Sequence, residues 1–175
     1  MDVEPFLAEE EIAARLAELA AEIRGAYGDS RPLLVGILKG SFVFLADLGR
    51  ELGPEYPVDF MAVASYDGAS SSGAPEIRLD LRTEIRGRDV LIVEDIVDSG
   101  NTLRYLLQAL REREPRSIRV VTLLFKPASF QGSERPAFIG FEIPPDFVVG
   151  YGMDLDEKWR NLKHIGKLIQ NKTDS

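Results

Sequence analysis

Residues 90–103 read V-L-I-V-E-D-I-V-D-S-G-N-T-L, and this stretch decides the fold. Its aliphatic residues predict a buried strand over residues 89–94, and Leu103 opens a helix with further leucines at helical spacing. Between them we predict a loop over residues 95–101. A strand, a tight glycine-containing loop and a helix leave free backbone N–H groups at a helix N-terminus, which favours anion binding. An ordinary capped turn is the alternative interpretation of this loop.

Strands and helices alternate on both sides of this stretch. Predicted strands cover residues 33–38, 58–64, 76–82 and 118–125, and predicted helices cover residues 9–27, ending at Gly28, and 42–52, with Ser41 as a candidate cap. Two further short strands within residues 137–151 look like an appendage. This alternation predicts an α/β fold whose central, mostly parallel sheet carries helices on both faces.

The composition excludes several classes of protein. The chain has 175 residues, and we expect a single domain over residues 1–175. A net charge of −8 argues against a nucleic-acid partner. The absence of cysteine excludes a disulfide framework and a thiolate nucleophile, and the single histidine, His164, without a G-x-S-x-G motif argues against a Ser-His-Asp hydrolase. Without a signal-peptide pattern or an apolar run of about 18 residues, we expect a cytoplasmic protein with no membrane partner.

Polar residues follow four of the predicted strands. The positions just after these strand ends are Lys39, Ser65-Tyr66, Glu94-Asp95 and Lys126. In open parallel sheets, ligands bind beyond the carboxyl ends of the strands. We therefore expect these residues to meet at one site.

The adjacent acids Glu94 and Asp95 allow three interpretations. They fit a solvated surface pair, half of a Walker-B magnesium site, or a pair that accepts hydrogen bonds from two vicinal ribose hydroxyls. A Walker site needs G-x-x-x-x-G-K-[ST] upstream, and the nearest candidate, G-I-L-K-G-S-F at residues 36–42, has its lysine before the second glycine. A phosphate loop beside acids that hold ribose hydroxyls describes a ribose 5-phosphate pocket.

Residues 90–103 resemble the phosphoribosyl diphosphate (PRPP) binding signature of type I phosphoribosyltransferases. Further segments are similar, in order, to the bacterial hypoxanthine-guanine phosphoribosyltransferase family: L-K-G-S at 38–41, S-Y-D-G-A-S-S-S-G at 65–73, L-L-F-K-P at 123–127 and F-V-V-G-Y-G-M-D at 147–154. The resemblance implies the type I fold, with a core over about residues 30–126 and a small hood formed by the terminal segments. It also implies a purine salvage enzyme that converts hypoxanthine or guanine plus PRPP to IMP or GMP plus diphosphate, with Mg²⁺.

The resemblance assigns one group of residues to PRPP and its metal. The 5′-phosphate is assigned to Asp98, Ser99, Gly100, Asn101 and Thr102. The ribose hydroxyls are assigned to Glu94 and Asp95, the metal to Glu94, Asp95 and Asp154, and diphosphate to Lys39, Gly40 and Arg160. The family often has a cis peptide bond at the positions of Leu38 and Lys39. Asp98 is also the implied general base toward the purine N7 proton, with an Asx cap on the following helix as its alternative role.

A second group is assigned to the purine. Lys126 donates a hydrogen bond to the 6-oxo group, which adenine lacks. Phe147 stacks on the ring, with core packing as its alternative role, while the Val148 backbone reads the ring edge and Asp154 closes the base pocket. The mobile loop that begins with Ser65 and Tyr66 closes over the site and excludes water, with a disordered linker as the alternative.

Two positions depart from the family pattern. Asn101 stands where some members have lysine, and asparagine still suits a phosphate loop. After Lys126-Pro127 the chain reads A-S-F-Q-G over residues 128–132, without the arginine pair of many bacterial relatives. The contacts of this second segment therefore stay open.

Two other functions share the fold class. A regulator that senses PRPP or nucleotides and binds RNA or DNA needs a basic face or an added domain, and the net charge of −8 argues against it. A phosphoacceptor receiver domain does not explain S-G-N-T or S-Y-D-G. Since family members form dimers and tetramers, we expect a homodimer or homotetramer that otherwise binds only small-molecule substrates.

Overall fold

Two β-sheets and three helices make up residues 2–64 and 75–169, the parts of the chain that the computed structural model describes. The helices are α1 (Glu9–Tyr27), α2 (Phe42–Leu52) and α3 (Asn101–Arg111). The strands are β1 (Asp2–Leu7), β2 (Leu33–Leu38), β3 (Val58–Ala64), β4 (Glu76–Leu79), β5 (Asp89–Val97), β6 (Ser117–Phe125), β7 (Phe138–Glu142), β8 (Val148–Val149) and β9 (Ile165–Ile169). Within these ranges, no helix is both long enough and apolar enough to cross a membrane.

The larger sheet has six strands in the order β4-β3-β2-β5-β6-β7. The pairings among β3, β2, β5, β6 and β7 are all parallel, and only the edge strand β4 runs antiparallel to its neighbour. The predicted mostly parallel sheet is therefore confirmed. Because β5 lies between β2 and β6, the stretch quoted first is at the centre of the sheet.

Helices cover both faces of this sheet, as predicted. Along β5, Leu91 and Val93 pack into one core together with the apolar faces of α1 and α2. Val90 and Ile92 point to the opposite face, where they pack into a second core with the leucines of α3. This alternation follows from the two-residue period of a strand and explains why β5 reads as a continuous apolar run.

Helix α1 shows why the local predictions succeed. Residues at helical spacing are buried along one side of it: Ile12, Leu16, Leu19, Ala20 and Ile23. Glu11 accepts a hydrogen bond from the backbone N–H of Ala8 at 2.8 Å, which closes the first turn. The helix ends at Gly28, whose N–H donates to the Arg24 carbonyl at 2.9 Å.

The smaller sheet joins the two ends of the chain in the order β1-β9-β8, with antiparallel pairing. The sequence analysis missed β1 and β9, because the first contains a proline and acids and the second lies in a polar tail. The two strands predicted as an appendage to the parallel sheet have different places, and the prediction was correct for β7 only. Strand β7 extends the larger sheet beside β6, and β8 belongs to the smaller sheet.

Three local boundaries differ from the predictions. Strand β5 continues through Val97, where Ile96 and Val97 pair with β6, so the loop starts at residue 98 and the predicted start at residue 95 is three residues too early. Strand β4 ends at Leu79, short of residue 82. Ser41 occupies the N-cap position of α2 as predicted, but its side chain makes no cap hydrogen bond, since its hydroxyl donates to the Ile37 carbonyl at 2.7 Å.

Candidate active site

The parallel strands deliver their carboxyl ends to one edge of the sheet, and a cavity of about 370 Å³ opens there. The ends of β2, β5 and β6 contribute one wall, and the segment from Phe147 to Arg160 contributes the other. The lining residues are Lys39, Gly40, Asp95, Ile96, Asp98, Lys126, Phe147, Val148, Met153, Asp154 and Arg160. This is the place where an open parallel sheet binds its ligands.

Asp98 and Lys126 form an ion pair inside this cavity. The Lys126 ammonium donates to the Asp98 carboxylate at 3.0 Å, and the Lys126 backbone N–H donates to the Val97 carbonyl at 3.0 Å. The Lys126 side chain is only 9% exposed, whereas that of Asp98 is 49% exposed. A buried donor and an accessible carboxylate thus lie side by side, within reach of one bound molecule.

Gly40 and Asp95 approach each other more closely than any side chain at position 40 would permit. A Cβ atom on Gly40 would lie 1.8 Å from an Asp95 carboxylate oxygen. The Leu38–Lys39 peptide bond is cis, as the resemblance implied. Glycine at position 40 is therefore required to bring the β2 turn against the acid of β5.

The adjacent acids of β5 have different environments. Glu94 is 6% exposed, and burial followed by the neighbouring Asp95 charge raises its pKa well above the usual range. Burial also raises the pKa of Asp95 to about 6, although the backbone N–H of Ile96 and the charge of Arg160 oppose the shift. Only Asp95 lines the cavity, so it is the acid of this pair that is placed to meet a ligand or a cation.

Two acids of the segment 154–157 form ion pairs with Arg160 and Lys39. The Arg160 guanidinium lies 2.7 Å from Asp154 and 3.4 Å from Glu157, and it donates to the Gly152 carbonyl at 2.6 Å. The Lys39 ammonium donates to Glu157 at 2.9 Å. The sequence analysis missed Glu157, because an acid in a polar tail carries no local signal of this contact.

The loop of residues 98–102 begins α3 with backbone groups rather than with a side-chain cap. Gly100 occupies the N-cap position at φ 84°, a conformation that glycine adopts without strain. The Asn101 N–H lies 3.4 Å from the Ser99 hydroxyl, which is a long hydrogen bond. Helix α3 therefore begins without a side-chain cap hydrogen bond.

Comparison with known proteins supplies the family. The model of the phosphoribosyl transferase domain matches residues 2–156. The chain is 47% identical to hypoxanthine-guanine phosphoribosyltransferase of Bacillus subtilis, over 95% of this chain and 94% of that protein. It is 49% identical to hypoxanthine phosphoribosyltransferase of Escherichia coli K12, over 95% and 96% of the two chains. The chain belongs to the hypoxanthine-guanine phosphoribosyltransferase family.

A solved structure agrees with this membership. A hypoxanthine-guanine phosphoribosyltransferase of Bacillus anthracis superposes with a TM-score of 0.91 at 34% identity, covering 96% of this chain and 100% of that one. The type I phosphoribosyltransferase fold and a pentosyltransferase enzyme follow for the present chain.

Most residues predicted for this phosphoribosyltransferase line the cavity: Lys39, Gly40, Asp95, Asp98, Lys126, Phe147, Val148, Asp154 and Arg160. The others that are described lie outside its lining: Glu94, Ser99, Gly100, Asn101 and Thr102. Ser65 and Tyr66 fall outside the described residues.

The cavity also includes Ile96 and Met153, which lie within the quoted motifs but were not predicted. Phe147 is 54% exposed, which excludes core packing as its role.

Proposed function

We propose that this phosphoribosyltransferase acts in purine salvage, transferring the ribose 5-phosphate group of PRPP to hypoxanthine or guanine. The products are IMP or GMP and diphosphate. The observation that carries the proposal is the pairing of Asp98 with the buried Lys126 at 3.0 Å, in the cavity where adjacent parallel strands end. A proton acceptor and a hydrogen-bond donor at this separation match two neighbouring polar positions, N7 and O6, of a 6-oxopurine.

On the purine, Lys126 donates to the 6-oxo oxygen. Its side chain is 9% exposed, so an adenine amino group at that position would leave a buried ammonium without an acceptor on the base. Phe147, an exposed ring in the cavity lining, stacks on the base, and the Val148 backbone reads its edge. Discrimination between 6-oxopurines and adenine therefore rests on Lys126.

In the chemical step, purine N9 forms a bond to ribose C1′ as the bond from C1′ to the diphosphate oxygen breaks. The electron pair of the broken bond leaves with diphosphate. Asp98 accepts the N7 proton, so the purine product is neutral at the ring. A base within hydrogen-bond reach contributes about 10²–10⁴-fold to such a step. Asp98 is accessible from the cavity, as this role requires.

On PRPP, the backbone and hydroxyl groups of residues 98–102 bind the 5′-phosphate at the start of α3. The resemblance assigns the ribose hydroxyls to Glu94 and Asp95, and of these Asp95 is the one that lines the cavity. Lys39, Gly40 and Arg160 bind the diphosphate and stabilise the negative charge that develops on it. Lys39 and Arg160 both line the cavity.

Mg²⁺ fits the two carboxylates that line this cavity, Asp95 and Asp154, as the residues that would hold it, whereas Glu94, which the resemblance also assigns to the metal, is buried outside the lining. The raised pKa of Asp95 marks a carboxylate whose charge a cation would stabilise. Within residues 2–64 and 75–169, no cluster of three or more acids or histidines is arranged to hold a metal by itself. This agrees with Mg²⁺ chemistry, since the ion usually takes one or two carboxylates and fills its shell with water and substrate oxygens. When bound, it would offset the charge of PRPP beside the carboxylates.

The remaining proposals concern the wider molecule. The sheet of β1, β9 and β8 forms the hood over a core of about residues 30–126, and Val148 in β8 links this hood to the cavity. The loop that begins with Ser65 and Tyr66 closes over the bound substrates. The enzyme is a cytoplasmic homodimer or homotetramer.

The test is a set of initial rates with PRPP and Mg²⁺ against hypoxanthine, guanine, xanthine and adenine, each repeated with EDTA. We expect EDTA-sensitive turnover of 6-oxopurines and none of adenine. The Lys126→Met variant should lower kcat/KM for hypoxanthine by about 10–100-fold, the scale of one hydrogen bond from a charged donor. Lys163→Met is the matched control on an exposed lysine. Tight PRPP binding without turnover of any base would overturn the proposal in favour of a regulator.

A further inference from the structure

We infer that Phe130 is a positioning residue that holds the phosphate loop, residues 98–102, in the shape that binds the 5′-phosphate. The inference rests on the proposed function, which assigns the 5′-phosphate to this loop. It concerns the segment of residues 128–132, where the chain lacks the arginine pair of many relatives. The structure gives this segment three sets of contacts that bear on the loop.

The first contact is between the Phe130 ring and Gly100. A Cβ atom on Gly100 would lie 2.6 Å from Phe130 Cε2, so the ring occupies the space beside the N-cap of α3. The ring also lies against Gly132, where a Cβ atom would be 2.5 Å from Phe130 Cζ. Two glycines thus bring backbone directly onto the ring, and the ring limits the movement of Gly100.

The second contact is a backbone hydrogen bond. The N–H of Gln131, the next residue after Phe130, donates to the Ser99 carbonyl at 3.0 Å. Ser99 and Gly100 are therefore held by two successive residues of the same segment. One contact is apolar and the other is polar, which restrains both the position and the orientation of the peptide between them.

The third set of contacts anchors the ring itself. Phe130 meets Phe125 edge to face with ring centroids 5.2 Å apart, and it packs against the apolar core beneath α3. Phe125 is 1% exposed, and it is the last residue of β6, directly before Lys126. The Ser129 N–H donates to the Lys126 carbonyl at 3.2 Å. The ring therefore joins the loop to the rigid strand that also carries the purine-binding lysine.

The loop needs this external support because its own capping interactions are weak. Gly100 has no side chain to cap α3, and the Ser99 hydroxyl reaches the Asn101 N–H only at 3.4 Å. Glycine loses the most conformational freedom on ordering. Binding of a phosphate by backbone N–H groups depends on their alignment, and small misplacements of binding groups weaken it strongly.

The test separates the two ends of PRPP by using fragments of it. Ribose 5-phosphate and diphosphate are titrated as competitive inhibitors of PRPP in the wild type, Phe130→Ala and Phe130→Leu. For Phe130→Ala we expect the inhibition constant of ribose 5-phosphate and the KM for PRPP to rise about 10-fold, the effect of losing a charge-assisted hydrogen bond. The inhibition constant of diphosphate and the KM for hypoxanthine should stay within about twofold. Phe130→Leu keeps apolar volume over Gly100 and should restore most of the affinity.

The matched control is Ile118→Ala, which trims a partly buried side chain of the same core at the opposite end of β6. It should lower thermal stability as Phe130→Ala does while leaving both inhibition constants unchanged. Unchanged ribose 5-phosphate affinity in Phe130→Ala, or an equal loss in Ile118→Ala, would overturn the inference. Failure of the wild type to turn over any base would overturn the proposed function instead, so the two failures are distinguishable.

Discussion

Strand β5 carries an aspartate near each end, and the two lie in opposite environments. Asp89, at its start, accepts hydrogen bonds from Arg116, from the Ser30 hydroxyl at 2.5 Å and from the Ser117 hydroxyl at 2.7 Å. These partners hold the pKa of Asp89 well below the usual range, and Arg116 is the main cause. Asp95 lies at the cavity, where burial raises its pKa to about 6.

The difference shows how one strand serves both stability and function. At the amino-terminal end of β5, segments from elsewhere in the chain satisfy the carboxylate fully, so its charge stabilises the fold. At the carboxyl-terminal end, the protein buries a carboxylate without an adequate cationic partner, which costs stability. Such perturbed acids cluster at functional sites because a bound ligand or cation supplies the stabilising interactions that the protein lacks there.

The largest expected effect separates catalysis from stability along this strand. Asp98→Asn removes the proposed proton acceptor just beyond β5, and we expect kcat to fall about 10²–10⁴-fold. Asp89→Asn, at the other end, should leave kcat unchanged. Steady-state rates with hypoxanthine and PRPP measure both variants. A fall of less than about tenfold in Asp98→Asn would remove Asp98 from the chemical step.

The second effect concerns the stability that Asp89 provides. Asp89→Asn should lower the free energy of unfolding by about 1.5–3 kcal/mol at pH 7, because hydrogen bonds to a charged carboxylate are lost. The pKa of Asp89 is lowered in the fold, so its contribution is complete above the ordinary aspartate pKa and is lost as pH falls below it. Urea unfolding should therefore show a smaller difference between the two proteins at pH 3 than at pH 7. A constant difference would assign the loss to packing.

Asp95 should give the opposite pH dependence of stability from Asp89. Its pKa is about 6 in the fold and about 4 when unfolded, so the folded state gains protons, and stability, as pH falls from 6 to 4. Asp95→Asn removes the charged form and should raise the free energy of unfolding by about 1–2 kcal/mol at pH 8, with the gain vanishing near pH 4. Urea unfolding without Mg²⁺ across this range measures it. A less stable variant at pH 8 would show that Asp95 has a stabilising partner.

The smallest effect concerns the acid that pairs, in the free protein, with the two cations assigned to diphosphate. Glu157 pairs with Lys39 and Arg160, and a bound diphosphate must replace it. Both Glu157 and Lys39 are 67% exposed, so solvent screening keeps the pair weak. Glu157→Gln should lower the inhibition constant of diphosphate about two- to threefold.

Asp156→Asn is the matched control for this variant, since it removes the same charge from the neighbouring exposed position. It should leave the inhibition constant of diphosphate nearly unchanged. Equal effects of the two substitutions would assign the change to overall charge rather than to the Glu157 contacts.

Sequence analysis predicted the centre of the molecule well because its signals are local. The apolar run of β5, the acids that follow this run within the strand and the small-residue loop before Leu103 are covalent neighbours, and their order implies strand, site and helix. The boundary at residue 94 was wrong for a physical reason. Ile96 and Val97 stay in the strand because β6 is long enough to pair with them, which only the partner strand reveals.

The amino-acid sequence by itself determined which segments form the parallel sheet, which residues follow the strand ends and what chemistry those residues can do. Hydrophobic period and turn composition encode these features within a few residues. Tertiary structure decided the pairing of β1 with β9, the contact of Lys39 with Glu157 and the position of the Phe130 ring over Gly100. These contacts join residues as distant in the chain as Asp2 and Ile169, and packing rather than local propensity selects them.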